Sequence, residues 1–166
     1  MRSIFVLDSS SFTDSTAKRG TVASLLRLFD FQKVCIPFLK DQGALLIRAF
    51  ADDLVALYSR PEPALDAAFE IHRRIRAWNT ISEGEAKPEG RIGIGFVSVY
   101  AIGPNLSMGL EMNQTSKLGE DTARGGKTLV TQNAYDALQG RAEVRFEAEL
   151  GGELGFPFYR ASPKNA

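Results

Sequence analysis

Two apolar runs flank a short acidic turn in residues 44–58, which read ALLIRAFADDLVALY. Runs of this kind, broken at residues 51–53, predict two strands joined as a hairpin. An earlier apolar run, from Ile4 to Leu7, predicts a buried first strand that ends at Asp8. Asp8 therefore closes a strand, and Asp52 lies in the turn of the hairpin. A carboxylate at either position is not explained by packing.

Helical spacing separates these strands. Apolar residues at positions 22, 25, 26 and 29 are spaced i, i+3, i+4, i+7. We expect this helix to continue to about Lys40, to be kinked or shortened by Pro37, and to end at Gly43. Pro61 and Pro63 are typical of the first turn of a second helix. The apolar stripe of that helix comprises Leu65, Ala68, Ile71, Ile75 and Trp78.

The remaining sequence completes an α+β pattern. We expect a strand over residues 91–102, a helix over 111–123, a short strand over 128–131, a short helix over 133–138, and a final antiparallel pair at 141–150 and 156–160. The order β-α-β-β-α-β with C-terminal additions is the ferredoxin-like arrangement, with helices on one face of an antiparallel sheet. That arrangement sets the first strand beside the hairpin, so we expect Asp8 and Asp52 to come close together.

Composition narrows the function classes. The 166 residues predict one domain, residues 1–166, long enough to bury a core. Twenty basic and twenty acidic residues give no net charge, which argues against a nucleic-acid or membrane partner. The single cysteine, Cys35, fits a reducing cytosol and, between Val34 and Ile36, a place in the core. We expect no signal peptide or membrane span, and we expect the single histidine, His72, to be half exposed without a chemical role.

Two carboxylates at neighbouring strand ends are a ligand set for hard cations. Paired magnesium ions are the usual means of moving phosphoryl groups. The sequence therefore predicts phosphate chemistry at Asp8 and Asp52.

Four motifs extend this prediction to a family. The stretches are Asp8 to Thr13, similar to Asp-Ile-x-Gly-Phe-Thr; Ile47 to Asp53, similar to Ile-Lys-x-x-Gly-Asp-Gly; Arg91 to Ile94, identical to Arg-Ile-Gly-Ile; and Gly109 to Leu118, similar to Gly-x-x-Val-Asn-x-Ala-x-Arg-Leu. Together they resemble the class III nucleotidyl cyclase catalytic domain, the family of adenylate and guanylate cyclases, over about residues 3–159.

The resemblance implies a role for each matching residue. Asp8 and Asp52 would bind two Mg²⁺ or Mn²⁺ ions per site, with the Ser9 carbonyl as a further ligand. Asn113 would orient the ribose, and Lys117 would neutralise charge on the α-phosphate. Backbone N–H groups of the following loop would hold the phosphates; that loop comprises Ser10, Ser11, Phe12 and Thr13.

The resemblance also implies a composite site. In this family the metal ligands come from one subunit and the ribose and phosphate contacts from the other, so we expect a head-to-tail homodimer. Because the resemblance spans nearly the whole chain, we expect a stand-alone catalytic domain without a sensor. Short stand-alone members include bacterial antiphage cyclases that make cyclic UMP or cyclic CMP.

Departures from the motifs bear on rate and specificity. Lys117 replaces arginine, which keeps the charge and loses the bidentate fork. Ser11, Ala51 and Asp53 each replace a glycine of the family motifs. Asp53 could assist metal binding, although a solvated turn residue is the simpler interpretation. Arg48 stands at the family's adenine-reading lysine.

The motifs therefore leave the identity of the substrate's nucleobase open. Leu106 stands where a purine-reading aspartate is common, so the adenine pair is incomplete. ATP is the first expectation, and UTP or CTP is the serious option.

Two other interpretations stay open. The changes at Lys117, Ser11 and residues 95–96 would also fit a degenerate cyclase homology domain that binds a nucleotide or a partner chain and catalyses nothing. A polymerase or diguanylate cyclase with the same two-metal arrangement is disfavoured, because the hairpin has no Gly-Gly-Asp-Glu-Phe turn.

Overall fold

The computed structural model describes residues 1–10, 20–81, 87–98, 100–101, 107–149 and 154–165. The strands in these ranges are β1 Arg2–Ser10, β2 Leu46–Phe50, β3 Asp53–Tyr58, β4 Glu89–Val97, β5 Tyr100–Ala101, β6 Ser107–Met108, β7 Lys127–Thr131, β8 Val144–Glu149 and β9 Phe158–Pro163. The helices are α1 Thr21–Asp41, α2 Pro61–Ile81, α3 Leu110–Ser116 and α4 Gln132–Leu138, and a π-helix, Lys117–Thr122, continues α3.

Seven strands form one sheet in the order β2-β3-β1-β4-β7-β9-β8. The segment β2-β3-β1-β4 is the ferredoxin-like order, so the predicted βαββαβ core is confirmed. The remaining strands and α4 are the expected C-terminal additions. Neighbouring strands pair antiparallel except β4 and β7, which are parallel. β5 and β6 pair with each other as a separate ribbon.

The sheet is buried on both faces. Phe5 and Leu7 belong to the main core with residues of α1, α2 and α4. Ile4 and Val6 point the other way, into a smaller cluster against which Met112 of α3 packs. Because successive side chains of a strand alternate between faces, β1 separates two helical layers. The expectation of helices on one face alone was wrong, since α3 and the π-helix cover the opposite face.

Helix α1 has the expected extent and is not shortened at Pro37. The helix runs through this residue to Asp41, and Gly43 follows in a left-handed conformation, φ 84°. Pro37 is exposed, so water can solvate the carbonyl that loses its hydrogen bond. The buried positions are Ser24, Phe31, Cys35 and Leu39.

The apolar spacing that predicted α1 does not form its buried face. These side chains lie on exposed positions instead: Val22, Leu25, Leu26 and Phe29. Their exposure leaves an apolar strip near the beginning of the helix.

Glycines set the distance between the sheet and the second helical layer. A Cβ on Gly93 would lie 2.3 Å from the Thr115 carbonyl oxygen, and one on Gly119 would lie 3.0 Å from the Val6 carbonyl oxygen. The predicted helix over residues 111–123 therefore rests almost on the backbone of β1 and β4. Its second half is a π-turn, which ends where Ala123 donates its N–H to the Leu118 carbonyl at 2.8 Å.

The burial of Cys35 was predicted correctly, whereas the burial of His72 was not. Cys35 is fully buried, as expected, and burial raises the pKa of its thiol to about 12. The expectation that His72 is half exposed was wrong, because it is 6% exposed. Its Nε2 lies 3.0 Å from the Thr128 hydroxyl. Burial, followed by the nearby charge of Arg76, lowers the pKa of His72 to about 4.

Gly93→Ala should lower the free energy of unfolding by roughly 1–3 kcal/mol or more, because the new methyl group overlaps backbone atoms that cannot move aside. Chemical denaturation followed by circular dichroism measures the change. Gly140→Ala is the matched control, since nothing lies within 4 Å of a Cβ there. Equal effects of the two substitutions would contradict the close approach.

Acidification should destabilise the fold through His72. The unfolded chain protonates this residue near pH 6.5, whereas the folded protein does so only near about 4, so its stabilising contribution is complete above the unfolded pKa and is lost as pH falls through this window. By about pH 5 the loss should reach about 2 kcal/mol. His72→Gln, which can still hydrogen-bond Thr128, should show a shallower pH dependence of unfolding. An unchanged slope would exclude His72 as the cause.

Candidate active site

Three aspartates meet at one end of the sheet. Asp8 lies near the end of β1, Asp52 in the β2–β3 turn, and Asp53 at the start of β3. One carboxylate oxygen of each lies within 4.8 Å of the others. Asp8 is 5% exposed, and the other two are half-buried. The structure thus brings Asp8 and Asp52 together with Asp53, for which the sequence had left open both a part in metal binding and a place as a solvated turn residue.

The turn that carries Asp52 is held in an unusual conformation. Ala51 has φ 51°, in the left-handed region, where a residue with a Cβ costs of order 1 kcal/mol or more. The side-chain amide of Gln32 in α1 donates to the Ala51 carbonyl at 3.0 Å. Register fixes the rest of the hairpin, since Phe50 pairs with Asp53. Asp52 is therefore presented by a two-residue turn tied to the neighbouring helix.

The pKa of Asp53 reflects its burial and the electrostatic repulsion within the cluster. Burial raises the pKa of this carboxyl above its ordinary value, and the negative charge of Asp52 raises it further. A cation among the three carboxylates would relieve both effects. The consecutive aspartates in the turn were the available sequence signal for a third member.

Arg91 supplies a positive charge to the cluster. It is the antiparallel partner of Asp8 across β1 and β4, and its Nη2 forms an ion pair with Oδ2 of Asp8. The buried Nε of Arg91 has no hydrogen-bond partner among the described residues. Sequence reasoning noticed Arg91 only as part of a motif, because cross-strand register cannot be read from one strand.

A fourth carboxylate, that of Glu120 in the π-helix, interacts electrostatically with the cluster. Burial raises its pKa most, and the negative charge of Asp53 raises it further, whereas a hydrogen bond with Ser116 and the charge of Arg91 act in the opposite direction. Gly119 lies against β1 and β4 just before it, which brings this turn of the helix over the strand ends. No sequence motif had pointed to Glu120.

Asn113 and Lys117 lie on the outer side of the second helical layer. Asn113 and Lys117 are both exposed, whereas the buried residues of this segment are Glu111, Thr115, Leu118 and Gly119. The N–H of Lys117 donates to the Asn113 carbonyl at the junction of α3 and the π-helix. The two side chains are thus turned outward, in a position from which they could serve a neighbouring molecule.

The other predicted substrate contacts are only partly described. Ser9 is buried at the end of β1, where it pairs with Gly90, and Ser10 is the last residue of that strand. Arg48 is exposed on β2. Ser11, Phe12, Thr13 and Leu106 lie outside the described residues.

A cavity of about 420 Å³ opens beside α3, lined by Ile4, Met112 and Phe156 among others. Glu111 is buried in its wall and accepts hydrogen bonds from the Phe96 N–H at 3.0 Å and the Asn133 amide at 2.8 Å. None of the clustered aspartates lines it. This volume is within the range of small-molecule pockets, but it is separate from the acidic cluster.

The donor set at the cluster fits a hard divalent cation. Carboxylate oxygens are the ligands that Mg²⁺ and Mn²⁺ prefer, and three of them converge here, one deeply buried. Arg91 occupies one oxygen of Asp8, which leaves the second oxygen and the other two carboxylates for a cation.

Among the described residues no helix is long and apolar enough to cross a bilayer. Neither a protein-family model nor a curated protein sequence matches the chain. Solved structures do match it over nearly its full length. Because the sequence identities are low, these matches establish similarity of fold alone.

Three of these structures, each an adenylyl or guanylyl cyclase, illustrate the similarity. A monomeric guanylyl cyclase domain, a double mutant from the RhoGC fusion protein of the aquatic fungus Blastocladiella emersonii, has a TM-score of 0.82 and 17% identity, covering 98% of this chain and 94% of its own. The adenylyl cyclase CyaB from P. aeruginosa has a TM-score of 0.76 and 14% identity, covering 97% and 93%. A Catenaria anguillulae guanylate cyclase domain in complex with GTP has a TM-score of 0.75 and 15% identity, covering 98% and 96%.

The matches combine TM-scores of 0.75–0.82 with coverage of nearly the whole chain. In fold, the chain therefore resembles the class III adenylyl and guanylyl cyclase catalytic domains.

Proposed function

We propose that the protein is a nucleotidyl cyclase, which converts a nucleoside triphosphate to a 3′,5′-cyclic nucleotide and pyrophosphate. The observation that carries this proposal is the convergence of Asp8 and Asp52 at the strand ends of a cyclase fold. A carboxylate pair held this way, one of them buried, is suited to divalent cations and through them to phosphates.

Asp8 and Asp52 would hold two Mg²⁺ or Mn²⁺ ions, with Asp53 beside them and the Ser9 carbonyl as a further ligand. When bound, the ions would neutralise the triphosphate and favour loss of the proton from the ribose 3′-hydroxyl. The 3′-oxygen then forms a bond to the α-phosphorus, and the bond to the pyrophosphate leaving group breaks. Burial of Asp8 keeps water from competing for its carboxylate.

Asn113 and Lys117 would act on the same substrate from a second subunit. Asn113 would hydrogen-bond the ribose, and the Lys117 ammonium would offset the charge that grows on the α-phosphate. Backbone N–H groups from Ser10 to Thr13 would hold the terminal phosphates. Arg48 would donate to the base, with Leu106 packing nearby.

The outward position of Asn113 and Lys117 supports the proposal of a homodimer, in which each would act at the site of the other copy. The apolar strip on α1, in which Val22 is 72% exposed and Leu26 61% exposed, is a surface that a second copy could cover. The fungal domain with the highest similarity given above is described as a monomer, so the assembly of this chain needs its own measurement.

The proposal extends to the nucleobase of the substrate. ATP is the first candidate, and the Catenaria neighbour was solved with GTP. Arg48 offers only donors, which suit a carbonyl oxygen or a ring nitrogen, so UTP or CTP is the other option. A pyrimidine product would fit antiviral signalling, and the buried Cys35 fits a reducing cytoplasm.

A degenerate homology domain is the second candidate function. Lys117 in place of arginine is the observation that favours it. Such a domain would bind nucleotide or a partner chain without turnover. Its aspartates would then lack the catalytic role that explains their convergence.

The activity test is incubation of the purified protein with ATP, GTP, CTP or UTP, each with Mn²⁺ and with Mg²⁺. Chromatography with mass detection should reveal a cyclic monophosphate and pyrophosphate from at least one of them. Asp8→Asn and Asp52→Asn should each lower the rate by about 10²-fold or more, because each removes a charged ligand. Asp41→Asn, an exposed carboxylate at the end of α1 and away from the apolar strip, is the control and should leave the rate unchanged. Full activity in both site variants would refute the assignment, and binding without turnover would favour the second candidate.

Lys117→Arg should raise turnover about tenfold, because a guanidinium can contact two phosphate oxygens at once. Lys117→Ala should lower it about 10²-fold. Single-turnover rates measured at saturating nucleotide check both values. Lys33→Arg, another exposed lysine, controls for a general effect of arginine. A Lys117→Ala variant with the wild-type rate would remove this residue from the mechanism.

A further inference from the structure

A second cavity opens where β7 begins, and none of the clustered aspartates lines it. Its volume is about 320 Å³. The pairing of β7 with β9 ends at Thr128 and Ala161, whereas β8 and β9 stay paired as far as Val144 and Pro163. The end of β9 therefore continues beyond its contact with β7. This leaves a notch in the sheet beside Lys127, and the cavity occupies it.

Helix α2 closes one side of this cavity. Phe69, His72 and Arg76 line it and, being three and four residues apart, lie on one face of the helix. Nε2 of His72 lies 3.0 Å from the Thr128 hydroxyl, which joins α2 to the first residues of β7. Because a helix and three paired strands form the walls, the cavity exists before any ligand binds.

The lining of this cavity is strongly basic. Four of its side chains carry a positive charge at neutral pH and one carries a negative charge; these residues are Arg76, Lys127, Arg145, Arg160 and Glu147. The whole chain, in contrast, has equal numbers of basic and acidic residues. The excess of positive charge is therefore local, and an anion in the cavity would offset it.

Two of the four cations already have anionic partners. Glu147 forms an ion pair with Arg160 and lies 4.0 Å from Arg145, and Arg160 also pairs with Glu149 at 3.5 Å. Neither Arg76 nor Lys127 forms an ion pair with a carboxylate of the described residues. These two side chains are thus the cations that an incoming anion would find available.

The two available cations lie on either side of one imidazole. Burial lowers the pKa of His72 most, and the charges of Arg76 and Lys127 lower it further, although a hydrogen bond with the Lys127 backbone acts in the opposite direction. Both cations also line the same cavity, one from α2 and one from the beginning of β7. An anion placed between them would therefore contact two separate elements of the fold.

We propose that this cavity binds a diphosphate or longer polyphosphate group, held by Arg76 and Lys127. Such a group offers several charged oxygens, so it can accept from a guanidinium and an ammonium at the same time. A cavity of this volume admits free pyrophosphate or the phosphate end of a nucleotide. The site is separate from the acidic cluster, and the proposal does not depend on cyclase activity.

The first measurement is isothermal titration calorimetry of the full chain at low ionic strength with EDTA, so that no divalent cation bridges phosphates to the aspartates. Inorganic pyrophosphate should bind with a dissociation constant of about 1 mM or lower, and added salt should weaken binding. Succinate, a dianion without phosphate, should bind about tenfold more weakly or not at all. ATP distinguishes the two sources: equal affinity would identify phosphates carried by a nucleotide, and weaker affinity would identify free pyrophosphate.

Four substitutions locate the ligand. Arg76→Gln and Lys127→Gln should each weaken pyrophosphate binding about tenfold, because each removes a charged donor. Glu147→Gln should strengthen it about threefold, since it removes the acidic residue of the lining. Arg73→Gln is the matched control, because Arg73 is an exposed arginine of the same helix that does not line the cavity. It should change the affinity by less than about twofold.

Amide NMR spectra of isotope-labelled protein show where pyrophosphate binds and whether each variant is folded. The largest shift changes should fall on Gly126, Lys127 and Ser162, which line the cavity. Largest changes around Asp8 would overturn the proposal, as would absence of pyrophosphate binding, equal binding of succinate, or unchanged affinity in Arg76→Gln and Lys127→Gln. Because none of these measurements requires turnover, a failed cyclase assay would refute the proposed function alone.

Discussion

The burial of β1 on both faces is the constraint on which the rest of the structure depends. Phe5 and Leu7 fill the core under α1 and α2, while Ile4 and Val6 fill the cluster under α3. The strand also pairs along both edges, with β3 and β4. A shift of one residue would exchange the two faces and turn Asp8 toward α1 and α2 instead of the second helical layer. The position of the acidic cluster is therefore set by apolar packing several residues away.

Much of the fold could be predicted because its signals are local. Apolar runs predict the strand from Ile4 to Leu7 and the hairpin at residues 44–58. Pro61 is typical of the first turn of a helix. Strand ends then pointed to Asp8 and Asp52. Arg91 and Glu120 escaped notice because their importance comes from cross-strand register and from a π-turn. Neither cross-strand register nor a π-turn can be predicted from a single stretch of sequence.

Errors arose where tertiary contacts override local preference. His72 was expected to be half exposed, yet Thr128 offers it a hydrogen bond inside the protein, so burial is tolerated as a neutral imidazole. The apolar spacing of residues 22–29 correctly predicted a helix but not which side is buried. Periodicity reports that a helix has two faces; only the neighbouring elements decide which one they cover.

Cys35 has a practical consequence for spectroscopy. It is the sole cysteine of the chain, it is fully buried, and its pKa of about 12 leaves almost no thiolate at neutral pH. A maleimide or a spin label would therefore pass over it in the folded protein. One cysteine introduced on the exposed strip of α1 would be the only reactive thiol. Distances between two such labels could then report directly on how two copies of the chain are arranged.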